Sequence, residues 1–379
     1  MLMKTKLILV SLFISLLCAC SNSDSQDISN DFVAKSNSID NYELNIEKLN
    51  AVITMNPDDV NALVERGTLE LDHYDFSNAF SDAARAFRLD SNQFETRLLY
   101  AKALLNRPTS TEKDKLVSQR HFLKLVDEKP KSTDAIVGLA NSYALLQDFE
   151  NANIWVEQAL EIDSKYIDAY RLKGSIFKIR YYAVKGDPES KRFSEALFDS
   201  TVTTYSYITQ IDPEYHAAYM HLGLLFQQRK DPLCLDHYLS AVQLQPTNLD
   251  YKYALGYAYG EFGKERQAIK IYAEMIKQDD TFYEAYCQTG QILQFKYQEL
   301  DSALYYYSKV VDQDKNHLDA YVNMGIAYQD KGDVTNALKN YGMALAIKPE
   351  ERNAMISLNQ FNAQQAMARE RADELKKKL

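Results

Sequence analysis

Apolar side chains recur at helical spacing through most of this chain of 379 residues. The clearest case is the stretch from Leu318, where two amphipathic helices are predicted around a tight Lys331-Gly332-Asp333 turn. The small residues Gly325, Ala337 and Ala344 fall where two such helices must approach closely. The aromatics Tyr321, Tyr328 and Tyr341 sit one helical turn from those small sites, so bulk interlocks with gaps. Most of the sequence upstream varies this pattern. A Gly or Ala marks the first helix of each unit at Gly67, Ala101, Ala140, Gly174, Gly223, Gly256, Gly290 and Gly325, at spacings of 34, 39, 34, 49, 33, 34 and 35 residues. Prolines that force a fresh start close several units, at Pro130, Pro213, Pro246 and Pro349. Asp40 to Met55 reads as one further amphipathic helix, with Leu44, Leu49, Val52 and Ile53 on one face.

The pattern Tyr321, Met324-Gly325, Tyr328, Ala337, Tyr341, Ala344, Pro349 closely resembles the tetratricopeptide repeat, a helix-turn-helix unit of about 34 residues. The resemblance implies an all-α fold, an α-solenoid coiled as a right-handed superhelix, with about eight repeats. Their expected bounds are 58–91, 92–130, 131–164, 165–213, 214–246, 247–280, 281–315 and 316–349, preceded by a half repeat over 39–57 that covers the N-terminal face. Residues 350–379 read as a solvating C-terminal helix, apolar early and strongly charged late. The two long spacings place insertions near 108–113 and 180–192, the second expected as a projecting basic loop bearing tyrosines.

Residues 1–19 have a basic start (Lys4, Lys6), an apolar run and small residues, the pattern of a secretory signal. The sequence Leu17-Cys18-Ala19-Cys20 resembles a bacterial lipobox, which implies lipid attachment at Cys20, and residues 20–38 read as a polar tether. Ser21 after that Cys resembles the signature of lipoproteins sorted to the outer membrane of Gram-negative bacteria. The expected location is therefore the cell envelope, as an outer-membrane lipoprotein, with the periplasmic face favoured over the cell surface.

Composition narrows the function. The formal charge of −10 disfavours nucleic-acid partners, because phosphate backbones are repelled, and removing Lys4 and Lys6 makes the remainder more acidic still. No catalytic constellation, phosphate loop or zinc spacing is present, so no enzymatic activity, cofactor or metal is expected. His216, His221 and His237 share one repeat and read as surface or packing side chains. Cys234 replaces a small packing residue and reads as core; a disulfide to Cys287 is not expected.

What remains is a surface for protein or peptide partners. In tetratricopeptide arrays the second, fifth, ninth, twelfth and thirteenth positions of the first helices line a groove. Carried onto this chain, the resemblance places Arg171, Met220, Leu224, Tyr253, Tyr257 and Gln291 there, joined by Phe295. The Lys-and-Asn set that clamps a C-terminal carboxylate in chaperone-binding members is absent. The expected function is a non-enzymatic, lipid-anchored scaffold that assembles or localises an envelope complex. The alternative is a surface glycan- or nutrient-binding lipoprotein, which the presence of a single Trp, Trp155, disfavours.

Overall fold

The computed structural model describes residues 39–348. The signal segment, Cys20, the tether, Pro349 and the C-terminal helix expected over 350–379 lie outside the described residues. Among the described residues there are seventeen α-helices and no strand. The chain divides into two compact units, Met1–Gln228 and Arg229–Leu379.

The first unit opens with α1 (Ile39–Met55) and continues as helix pairs. These are α2 (Val60–Asp72) with α3 (Phe76–Leu89), α4 (Phe94–Asn106) with α5 (Glu112–Glu128), α6 (Thr133–Leu145) with α7 (Phe149–Ile162), and α8 (Ile167–Val184) with α9 (Lys191–Ile211). It ends on α10 (His216–Gln228). The second unit begins with α11 (Leu233–Leu244) and holds α12 (Leu249–Glu261) with α13 (Glu265–Gln278). There follow α14 (Tyr283–Ile292) with α15 (Leu300–Gln313), and α16 (Leu318–Asp330) with α17 (Val334–Ile347). Within each unit, helices adjacent in sequence pack together, the arrangement of a solenoid of helix pairs.

Local chemistry sets the turns. At the same point of three pairs, Asp75, Asp148 and Asp333 cap the second helix by accepting from the backbone N–H of Asn78, Asn151 and Asn336, and their other carboxylate oxygen accepts from the same Asn side chains at 2.7 Å. The residue just before each Asp has positive φ: Tyr74 (62°), Gln147 (64°) and Gly332 (77°). A left-handed residue followed by a cap reverses the chain in the fewest residues, which keeps the paired helices antiparallel and close.

Close approach is what the first-helix glycines permit. A Cβ on Gly256 would stand 2.7 Å from Cε1 of Tyr272, and one on Gly174 would stand 2.9 Å from Cζ of Tyr205. Those tyrosines, with Tyr307 and Tyr341, are among the largest fully buried side chains, and Ala337 and Ala344 are buried beside Tyr341 on α17. The second pair solves the same problem differently. Its first helix has Ala101, and the Phe122 ring instead occupies the space beside Gly138 on α6. Ser118, on the facing helix, donates to the Ala101 carbonyl at 2.7 Å.

The insertion near 180–192 lengthens both helices of the fourth pair and leaves only a short turn, with Pro188–Ser190 as one 3₁₀ turn. The expected projecting loop is thus replaced by a hairpin extension, because its aromatics find partners inside the unit. Tyr181 is buried, its ring 5.7 Å from Phe198, and Phe198 meets Phe226 of α10 edge-on at 6.1 Å. Lys185 lies over the Tyr182 ring and donates to Gln228, which donates to the Tyr182 hydroxyl.

Candidate protein-binding surface

Side chains two, five, nine and thirteen residues into a first helix lie along one stripe, by the 3.6-residue period. The stripe differs between the two units.

In the first unit much of it is closed. Arg171, expected on the groove, is only 3% exposed. Its guanidinium donates to Asp168 one helical turn back at 3.1 Å, and buried Tyr215 lies near it. Burial drives the Tyr215 hydroxyl well above its ordinary value while the Arg171 charge pulls it back. Val137 and Asn141, at the corresponding positions of α6, are likewise buried, and Lys102 of α4 is held by Asp134 at 2.8 Å. The open apolar groups are on α10, where Leu224 is 41% exposed and Met220 is half-buried.

In the second unit the stripe on α12 is aromatic. Tyr253 and Tyr257 face one another at 6.4 Å with planes 27° apart, and Tyr257 is 43% exposed. Burial, then the charge of Glu261, raises the Tyr257 hydroxyl above its usual range, so it stays a neutral hydrogen-bonding group. Tyr253 also packs near Tyr272 and Phe282, and its hydroxyl accepts from Gln288 Nε2 of α14 at 3.3 Å. Gln291 is half-buried, its amide 3.8 Å from Cys287 Sγ.

Phe295 reaches solvent by a device that the amphipathic pattern does not announce. After Ile292 the chain enters a π turn over Leu293–Tyr297, ended by Gln298 at φ 58°. The wider turn exposes Phe295 (50%) and Tyr297 while sinking Gln294 completely. Tyr307 of α15 donates its hydroxyl to Gln294 Oε1 at 2.8 Å. The signal in the sequence is one residue: the spacing from Gly290 to Gly325 is 35, one more than the ordinary repeat.

Among the described residues no group of three His, Cys, Asp or Glu side chains is placed to hold a metal, and Cys234 and Cys287 are buried thiols not joined in a disulfide. Burial pushes the Cys234 thiol up to about 11, so it is a protonated core side chain at neutral pH. No helix among the described residues is long and apolar enough to cross a membrane.

The family model described as tetratricopeptide repeat matches residues 133–166 and 318–351, which include the helix pairs α6–α7 and α16–α17. These two stretches are tetratricopeptide repeats. The C-terminal part of a repeat-containing protein of this family from Cytophaga hutchinsonii, 16% identical, superposes on 70% of this chain and 99% of its own with a TM-score of 0.54. The solved structure of pilF from Pseudomonas aeruginosa, 17% identical, aligns over 62% of this chain and 98% of its own with a TM-score of 0.45. In sequence, the human protein O-mannosyl-transferase TMTC3 is 22% identical over 300 residues, which is 74% of this chain and 31% of the transferase. The chain therefore spans about a third of that relative's length. Stacked repeats of this kind present helical faces to protein and peptide partners.

Proposed function

We propose that this chain is a non-enzymatic scaffold, tethered to a bacterial envelope membrane by lipid on Cys20, that holds a protein or peptide partner on its first-helix faces and so assembles or localises an envelope complex. The observation that carries the partner-binding part is the exposure of Tyr257 on a first helix and of Phe295 just beyond one, in a unit where, Tyr297 and Tyr305 apart, the other large aromatics among the described residues are buried or half-buried. Large apolar groups kept in water next to one another are a mark of a contact surface. The anchoring part rests on the lipobox-like sequence before Cys20 and the polar stretch after it. Two acyl chains or more hold a protein on a membrane far more firmly than one.

The test is crosslinking in intact cells, detergent extraction and pulldown, comparing the wild type with Tyr253→Ala plus Tyr257→Ala. Loss of specific crosslinked species from a folded variant supports partner binding at this face; an unchanged set removes it. Metabolic acyl labelling that persists in Cys20→Ala removes the anchor.

A further inference from the structure

The first helices of the second unit carry a charge pattern that their neighbours do not. Asp250, Glu284 and Asp319 occupy the second position of α12, α14 and α16, on the same stripe as Tyr253 and Tyr257, Gln291, and Ile326 respectively. Asp330 ends the stripe on α16. Lys252 is the one cation within these three helices, and it is turned to Gln278 of α13, to which it donates at 2.7 Å. The second helices of the same unit carry cations among their acids: Arg266, Lys270 and Lys277 beside Glu265 and Glu274 on α13, Lys309 beside Asp301 and Asp312 on α15, and Lys339 alone on α17.

The equivalent acids of the first unit are neutralised from within. Glu95 meets Lys129 at 3.3 Å, Asp134 meets Lys102 at 2.8 Å, and Asp168 meets Arg171 at 3.1 Å. Asp250, Glu284 and Asp319 have no such ion pair among the described residues, and Asp250 and Asp319 are exposed. A second feature of the same surface is the buried Gln294, whose Oε1 takes the Tyr307 hydroxyl while Nε2 has no acceptor among the described residues. Gln294 sits at a groove-lining position of its repeat, next to Phe295.

We infer that the first-helix face of the second unit binds a peptide segment that alternates apolar side chains with Lys or Arg, its cations meeting Asp250, Glu284 and Asp319 and its apolar or cationic groups lying against Tyr257 and Phe295. The inference rests on the reading of these helices as a partner-binding face and adds the partner's chemistry. Carboxylates beside tyrosine faces suit a cation twice over, by charge and by the ring quadrupole. The same field repels acidic segments, so the surface selects between partners as well as attracting one.

Two fluorescein-labelled peptides of about twelve residues, long enough to extend about 40 Å, test it on the full chain in detergent by anisotropy. They share one apolar sequence, and one carries Lys where the other carries Glu. The Lys peptide is expected to bind, and more weakly as salt is raised. The triple variant Asp250→Asn, Glu284→Gln, Asp319→Asn should lose about tenfold in affinity for it, equivalent to about 1.4 kcal/mol. Its thermal melting should stay cooperative and fall by only a few degrees, since none of the three side chains is in the core although each lies in the first turn of its helix. Equal binding of the Glu peptide, unaltered binding by the triple variant, or binding of neither peptide overturns the inference. If Tyr257→Ala abolishes capture of an apolar peptide while the triple variant leaves it intact, the face still binds partners and only the preference for cations is lost.

Discussion

Tyr307 on α15 fills the space where Gly290 on α14 lacks a side chain: a methyl group there would stand 2.6 Å from Tyr307 Cε1. The ring is fully buried, so it has no room to retreat. Gly290→Ala is therefore expected to destabilise the second unit by about 1–3 kcal/mol, the usual cost of overpacking. Gly342 on α17 has open space around it, so Gly342→Ala should instead stabilise by about 0.5–1 kcal/mol through helix propensity. Urea titrations of helicity check the pair, and two shifts of the same sign would refute the packing argument.

Phe122 and Gly138 form the same lock between neighbouring pairs instead of within one. Phe122→Ala should cost about 3–5 kcal/mol as a core cavity. Gly138→Ala should also destabilise, and Phe122→Leu should absorb much of that loss because it removes the ring edge that the new methyl meets. A double-mutant cycle measures the coupling, expected at about 0.5–3 kcal/mol for groups in contact. Strict additivity would mean that the two residues do not share the space.

The amphipathic period and the small-residue spacing made the helix pairs legible, because packing a helix against a partner needs both a stripe and a gap. Gly138 escaped that reading. It lies two residues before Ala140, off the repeated small position, and only the placement of Phe122 explains it. The π turn escaped for a related reason: one extra residue before Gly325 can enter a loop or a helix, and the sequence does not distinguish them. Arg171 sits at a groove-lining repeat position and reads as exposed; position within a helix does not disclose that Asp168 and Tyr215 enclose it. Tyr253 and Tyr257 were legible as a pair because they are four apart on one helix.

The extended fourth pair behaves as core. Phe198 joins Tyr181 of α8 to Phe226 of α10, so the inserted residues support the last helix of the first unit. Phe198→Ala should cost about 3–5 kcal/mol and should raise the hydrogen exchange of α10 amides above that of α6 amides. Exchange confined to the hairpin tip would show that the insertion is a passive excursion.

Glu70 on α2 gives the first unit a dependence on pH. Burial, and then the charge of Asp82, raise its carboxyl from 4.5 to about 7, with Arg66 opposing them. Arg66 is itself committed to Asp82 through two hydrogen bonds, at 2.6 and 2.7 Å, and stands 3.8 Å from Glu70. At pH 4 the carboxyl is largely protonated in both the folded and unfolded chain and contributes little pH dependence. Between about 4.5 and 7 the unfolded chain releases the proton while the folded chain keeps it, so stability falls as pH rises, and above about 7 the whole cost is present. Glu70→Gln keeps the shape and removes the charge. It should match the wild type at pH 4 and exceed it by about 1–3 kcal/mol at pH 8, read from urea midpoints at the two pH values. A variant that is less stable at pH 8 would mean that the attraction of Arg66 outweighs burial, and the Glu70 carboxyl would then belong below its ordinary range.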